Sequence, residues 1–174
     1  MQPFRLSLLA AALLLPLGGF AQEISVRPGL WEHQIDIKSA SGRVELALEM
    51  ARTQMALLPP EQRQTVESVI RAQGLKVDWL NQRFQNCVTE QEAASGQFRF
   101  AEEGGCRFTR VEPQGLATHI DFVCDQGQGS VILADGIEYT GESSMTLNFN
   151  GIVEHATATH SGRWLGASCA ALDQ

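Results

Sequence analysis

The side chains able to do chemistry here are four cysteines, four histidines and a few polar groups on one apolar strand face. Cys87, Cys106, Cys124 and Cys169 are separated by 18, 17 and 44 intervening residues. Structural zinc sites pair their ligands only two to four residues apart. An even set of cysteines in an oxidising compartment forms disulfides instead. Four cysteines allow three pairings. Position favours Cys87–Cys106, closing the loop between a short strand and a hairpin, with Cys124–Cys169 tying the tail to the sheet. Cys106–Cys124 is the rival, since both fall on one hairpin face.

The histidines do not form a ligand set. His155 and His160 are five apart, so on a strand they face opposite sides, and His33 and His119 are isolated in sequence. No metal or other cofactor is expected. Catalytic motifs are also missing: there is no nucleophile elbow, phosphate loop or zinc-protease helix. Ser143 and Ser144 follow Gly141-Glu142, but no glycine follows two residues on. What remains is a face on which Tyr139, Ser143, Glu154 and His160 meet. If that face lines a barrel interior, these are a few polar groups in an apolar setting, as in a ligand pocket. Ordinary solvation or mutual pairing is the favoured explanation, because buried polar groups are usually paired. Trp31, in Pro28-Gly29-Leu30-Trp31, reads as a binding lip or as a plug for one end of the sheet core.

The elements that must position these residues follow from periodicity. Residues 30–37 alternate as a strand. Over 43–58, Val44, Ala47, Leu48, Ala51, Met55 and Leu58 recur at helical spacing. Pro59-Pro60 ends that helix, and Pro60 suits the first position of the next. The second helix runs to about Gln73 and stops at Gly74. The pair reads as a helical hairpin insert covering the sheet. Residues 84–88 form a short candidate strand, and Thr89-Glu90-Gln91-Glu92 starts a helical turn. Residues 106–111 and 116–124 form a hairpin with Cys106, Phe108, Ile120, Phe122 and Cys124 on one face.

Asp135-Gly136 and Asn150-Gly151 favour type I′ turns. Between them, Ile137, Tyr139, Gly141, Ser143, Met145, Leu147 and Phe149 share a face. Gly141 marks an expected bend or bulge. Ile152 to Leu165 pairs with that run and presents Ile152, Glu154, Ala156, Ala158, His160, Gly162 and Trp164. The expected fold is α+β and mainly β: an antiparallel meander forming an open or closed barrel, with the helical hairpin at about 43–73.

The N-terminus reads as an export signal. Arg5 precedes an apolar run from Leu6 to Leu17, and Gly19-Phe20-Ala21 offers small residues for a cut after Ala21. The run is too short for a membrane span, and no cysteine follows it to carry a lipid. Residues 1–21 hold one of the 13 basic side chains and none of the 20 acidic ones, so residues 22–174 carry a formal charge of −8. That chain is the size of one domain. Its charge disfavours nucleic acid and anionic membrane surfaces.

Five strings occur in order: Pro28-Gly29-Leu30-Trp31-Glu32, Pro59-Pro60-Glu61-Gln62-Arg63, Cys87-Val88-Thr89-Glu90-Gln91, Tyr139-Thr140-Gly141 and Ser161-Gly162-Arg163-Trp164-Leu165-Gly166. Together they resemble domain-of-unknown-function family 3617, small exported proteins of Gram-negative bacteria. The resemblance spans nearly all of residues 22–174. It implies a periplasmic protein and supplies no activity. Many members have a Met-rich helical segment; here that segment holds only Met50 and Met55.

The expected function is a non-enzymatic binding module, holding a small apolar ligand or an envelope component between sheet and helices. A ligand-free interaction or envelope-stress accessory is the alternative. A hydrolase using Ser143, His160 and Glu154 ranks last.

Overall fold

A computed structural model describes residues 24–98, 104–149 and 151–172. The expected signal segment and its cleavage site lie outside these residues.

Eight strands form one antiparallel sheet: β1 (Gly29–Ser39), β2 (Leu75–Asp78), β3 (Arg83–Val88), β4 (Arg107–Gln114), β5 (Ala117–Cys124), β6 (Gly127–Ala134), β7 (Glu138–Phe149) and β8 (Ile152–Gly166). Their spatial order is β2-β3-β1-β8-β7-β6-β5-β4. From β4 to β8 the sheet is the expected meander. The N-terminal strand β1 then inserts between β8 and β3, joining the meander to the β2–β3 hairpin. Three helices accompany the sheet: α1 (Arg43–Leu57), α2 (Pro60–Ala72) and α3 (Glu90–Ser95).

The sheet does not close into a barrel, because β2 and β4 remain its two edges. Each edge is poorly suited to further pairing. β2 has only four residues. β4 carries Arg107, Arg110 and Pro113, and its register with β5 shifts between Phe108 and Arg110. Charge, proline and bulges are the usual devices that keep an edge unpaired.

The turn chemistry follows the sequence closely. Asp135 and Gly136 have φ of 50° and 69°, the positive values that a type I′ turn requires. Residue 150 is outside the described set, but Phe149 pairs with Ile152 across the second turn, as a two-residue loop demands. Thr89 caps α3: its side chain accepts from the Glu92 N–H, and the Glu92 carboxylate accepts from the Thr89 N–H. This reciprocal box satisfies two otherwise unpaired donors.

Three expectations need correction. Pairing of β7 with β6 and β8 runs through Gly141 without a register shift, so there is no bulge there. The two long helices exist with Pro60 at the N-terminus of α2, but they do not form a buried cover. Only Val44 and Met55 of α1 are buried, and no residue of α2 is. The disulfides are Cys87–Cys169 and Cys106–Cys124, not Cys87–Cys106 and Cys124–Cys169. The pairing Arg107↔Val123 sets Cys106 directly across from Cys124. Cys87 sits opposite Leu30, which also pairs with Gly166, so the tail leaving β8 crosses β1 to reach Cys87.

The core lies on one face of the sheet. Ile24, Trp31, Val88, Phe98, Ile120 and Leu133 form it, with Val26, Val131, Tyr139 and Trp164 packed against them. Trp31 is 2% exposed, and its indole N–H donates to the Arg27 carbonyl at 2.9 Å. The indole of Trp164 donates to Pro28, while the Arg27 guanidinium stands 5.4 Å above its ring. The Pro-Gly-Leu-Trp string is thus a structural plug at the start of β1.

Candidate functional site

On this face the strand pleat delivers side chains from β1 and from β3 to β8 to an apolar cavity of ≈180 Å³. Trp31, His33, Phe122, Val131, Tyr139 and His160 are among its lining residues. An engineered apolar cavity of about 150 Å³ binds benzene, so this one suits a single ring or a short chain.

Glycines make room for the rings. Tyr139 pairs with Gly162, and a Cβ at Gly162 would lie 2.2 Å from a carbon of the Tyr139 ring. His160 pairs with Gly141, where a Cβ would lie 2.4 Å from the Ser130 carbonyl oxygen and 2.5 Å from the imidazole. Both aromatic rings therefore lie across the neighbouring strand.

Polar atoms in this apolar setting are few and mostly paired. His33 Nε2 lies 2.6 Å from Asn86 Oδ1, and His33 Nδ1 lies 2.7 Å from the Tyr139 hydroxyl. An amide oxygen only accepts, so Nε2 carries the proton and donates to Asn86. Nδ1 then accepts from the Tyr139 O–H. Phe84 stacks on His33 at 4.7 Å between ring centroids. Burial pushes the His33 pKa below its ordinary value, against the opposing pull of Asn86 and Glu32. Burial likewise raises the Tyr139 phenol far above its usual range. Both groups are neutral near pH 7.

His160 is different. Burial lowers its pKa, with a backbone hydrogen bond to Glu142 and the Glu142 charge opposing. Its Nε2 is buried with no partner among the described residues. The Glu142 bond is therefore made by Nδ1–H to a carbonyl, which leaves Nε2 as an acceptor.

Of the residues expected in a pocket, Trp31, Tyr139 and His160 line this cavity. Ser143 and Glu154 do not. Ser143 lies opposite Ala158, about 7 Å diagonally from His160. Glu154 is six positions from His160 along β8, roughly 20 Å at ~3.3 Å per residue. It is 6% exposed, and its carboxylate accepts from the Ser41 N–H at 2.9 Å, closing the turn from β1 into α1. The Ser41 hydrogen bond holds its carboxyl below the usual range. Glu154 thus orients a turn, and the Ser143–Glu154–His160 set does not assemble as a triad.

His33 was the residue that isolation in sequence concealed. Extending the strand alternation back from Ile37 and Ile35 reaches His33 and Trp31 on the same face. That pattern carried the signal.

No group of three or more potential metal ligands occurs among the described residues. No helix among them is long and apolar enough to cross a membrane.

A family model described as "Protein of unknown function (DUF3617)" matches residues 26–169, and the chain belongs to this family. An "Uncharacterized protein in lpd-3 5'region" from Pseudomonas putida is 29% identical over 127 residues, covering 72% of this chain and 87% of that relative. No solved structure matches.

Proposed function

We propose that this protein is a non-enzymatic binding module of the periplasm, whose cavity holds a small, mostly apolar molecule bearing one hydrogen-bond donor. The observation that carries this reading is the apolar cavity itself, with the His160 imidazole in its lining and the buried Nε2 of that ring without a partner among the described residues. Binding sites combine apolar walls with a few placed polar groups in this way. The Tyr139 hydroxyl already donates to His33, so among the described residues the lining keeps one acceptor and no free donor. Periplasmic residence is supported by the two disulfides, which fit an oxidising compartment, and by the signal-like N-terminus.

The test is thermal shift and native mass spectrometry with phenol, toluene and anisole. A ligand at 100 times its Kd stabilises by about 2.7 kcal/mol, or about 5–10 °C for a domain of this size. Phenol should bind best, since toluene lacks the donor and anisole only accepts. Val131→Phe, which fills the cavity, should abolish the shift without unfolding the protein. A bare mass and no shift with any of the three up to their solubility would sink the idea.

A second reading, an interaction accessory, draws on α1. Leu46, Met50 and Leu57 stand at helical spacing and are 61%, 54% and 79% exposed. Apolar patches left in water mark contact surfaces. Under this reading, Leu46→Glu with Met50→Glu abolishes cross-linking to an envelope partner and leaves the melting temperature unchanged. Cross-linking that persists in the double variant removes it.

A further inference from the structure

Helix α1 carries apolar residues on two opposite sides. Val44 and Met55 are its buried residues. Leu46 and Leu57 stand two positions further on, about 200° around the helix axis, and both are exposed. Met50 and Thr53, also exposed, complete the outer stripe, at successive spacings of four, three and four residues. The flank of α1 bearing Arg52 and Ala56 faces a polar groove of ≈720 Å³ shared with α2 and the β2–β3 end of the sheet. Leu46, Met50 and Leu57 stay outside that groove.

Little else holds this helix. A helix of 15 residues is marginal on its own in water. Its N-cap, Gly42, supplies no side-chain hydrogen bond, and the neighbouring α2 has no buried residue. Covering the outer stripe would add the burial that the sheet does not supply.

The stripe is its own complement. Reversing the chain direction about the midpoint between Ala51 and Arg52 carries Leu46 onto Leu57 and Met50 onto Thr53. A two-fold axis through that midpoint, with two α1 helices antiparallel, therefore sets Leu46 against Leu57 and Met50 against Thr53, once on each side of the axis. The Thr53 hydroxyl donates back to the Glu49 carbonyl at 3.0 Å, so it brings no unpaired donor into the contact. Charge selects the antiparallel arrangement. It brings Arg43, at the start of α1 in one copy, to the α1–α2 joint of the other, where Glu61 is exposed. A parallel arrangement would put Arg43 beside Arg43 and Glu49 beside Glu49, and would bring like ends of two helix dipoles together.

We propose that the outer stripe of α1 is a homodimer interface, covered by α1 of a second copy in this antiparallel register. The helix is about 22 Å long. One such pair falls short of the ~1,200 Å² at which standard interfaces begin, so the dimer is weak and concentration-dependent. The Val44 and Met55 side of each helix points away from the axis, which leaves the two sheets on opposite sides of the helix pair. The interface is independent of the apolar cavity.

The disulfide-bonded protein is followed by sedimentation velocity from low-micromolar to millimolar concentration. Its mass should rise toward that of a dimer. Met50→Glu sets two carboxylates against each other and against the stripe near the axis, and should weaken association by about tenfold or more. Its melting temperature at low-micromolar concentration, where the wild type is monomeric, should be unchanged. Leu116→Glu, at an exposed leucine in the β4–β5 turn, should associate as the wild type does. The register is tested by mild oxidation with the native disulfides formed. Leu46→Cys mixed with Leu57→Cys should cross-link, and neither variant should cross-link to itself. The proposal is overturned by a monomer at every concentration, whether or not an envelope protein cross-links to it. It is equally overturned by a dimer that survives Met50→Glu, or by Leu46→Cys cross-linking to itself as a parallel pair would.

Discussion

His33 and Tyr139 are each other's hydrogen-bond partners inside an apolar wall, and that has a measurable pH signature. Burial lowers the pKa of His33 and of His160 below the ordinary 6.5. The unfolded chain therefore binds protons that the folded chain refuses. The stability these two groups contribute is complete above about pH 6.5 and is lost as pH falls through their folded values. The buried carboxyl of Glu154 is lowered from 4.5, so its contribution fails only at more acid pH. Melting temperature should therefore drop between pH 7 and pH 5, before the carboxylates titrate. His33→Gln should flatten that drop while lowering stability throughout. An unchanged slope in the variant would refute the assignment.

Gly162 offers a second residue-scale test. Its missing Cβ is where the Tyr139 ring lies. Gly162→Ala should cost about 1–3 kcal/mol by overpacking, measured by urea unfolding. Combined with Tyr139→Ala, most of that penalty should disappear, because the clashing ring is gone. A fully additive double variant would show that the ring is not the cause. At this scale the sequence was only partly legible. Alternation placed Tyr139 and His160 on one face and marked Gly162 beside them. It could not show that Glu154 turns away to Ser41, since alternation gives the face of a residue and not its position along the strand relative to a distant turn.

Among elements, local chemistry was the readable part. The Asp135-Gly136 turn, the Thr89–Glu92 box and the long β7–β8 ladder each depend on residues close in sequence. The cysteine pairing depends on where β1 inserts, and no local pattern reports that. Pairing Cys87 with Cys106 treats β3 as the neighbour of β4, whereas the sheet places them near opposite ends. Helix α1 misled in another way. Its apolar residues do recur at helical spacing, but the sheet beneath covers only Val44 and Met55, and Leu48 remains 45% exposed.

The observed pairing makes a prediction of its own. Cys87–Cys169 spans a sequence separation of 82 residues and Cys106–Cys124 one of 18. On the chain-entropy account these contribute about 4.5 and about 3 kcal/mol. Replacing Cys87 and Cys169 by serine should lower the melting temperature more than replacing Cys106 and Cys124. Equal losses would mean that loop length does not set the contribution, and a non-reducing peptide map checks the connectivity itself.

For the whole molecule, the sheet has two unlike ends. The meander end carries the short-range disulfide, and the apolar cavity reaches from it across β1 to Val88 of β3. The β2–β3 end carries the helices, the polar groove and the long-range disulfide. The strand common to both is β1, which pairs with β3 on one side and with β8 on the other. Leu30 meets Gly166 in that second ladder, so the first strand made pairs with the last. β1 can gain its β3 neighbour once residue 88 is made, but its β8 neighbour exists only when nearly the entire chain does. Folding of such a topology is slow, because the entropy of closing a chain-length loop precedes the gain from contacts. Until β8 is made, the Trp31-bearing strand β1 has one of its two ladders unpaired. Loss of the C-terminal strand would therefore do more than shorten the sheet: it would turn β1 into an edge that is permanently unpaired on one side, the condition in which strands aggregate.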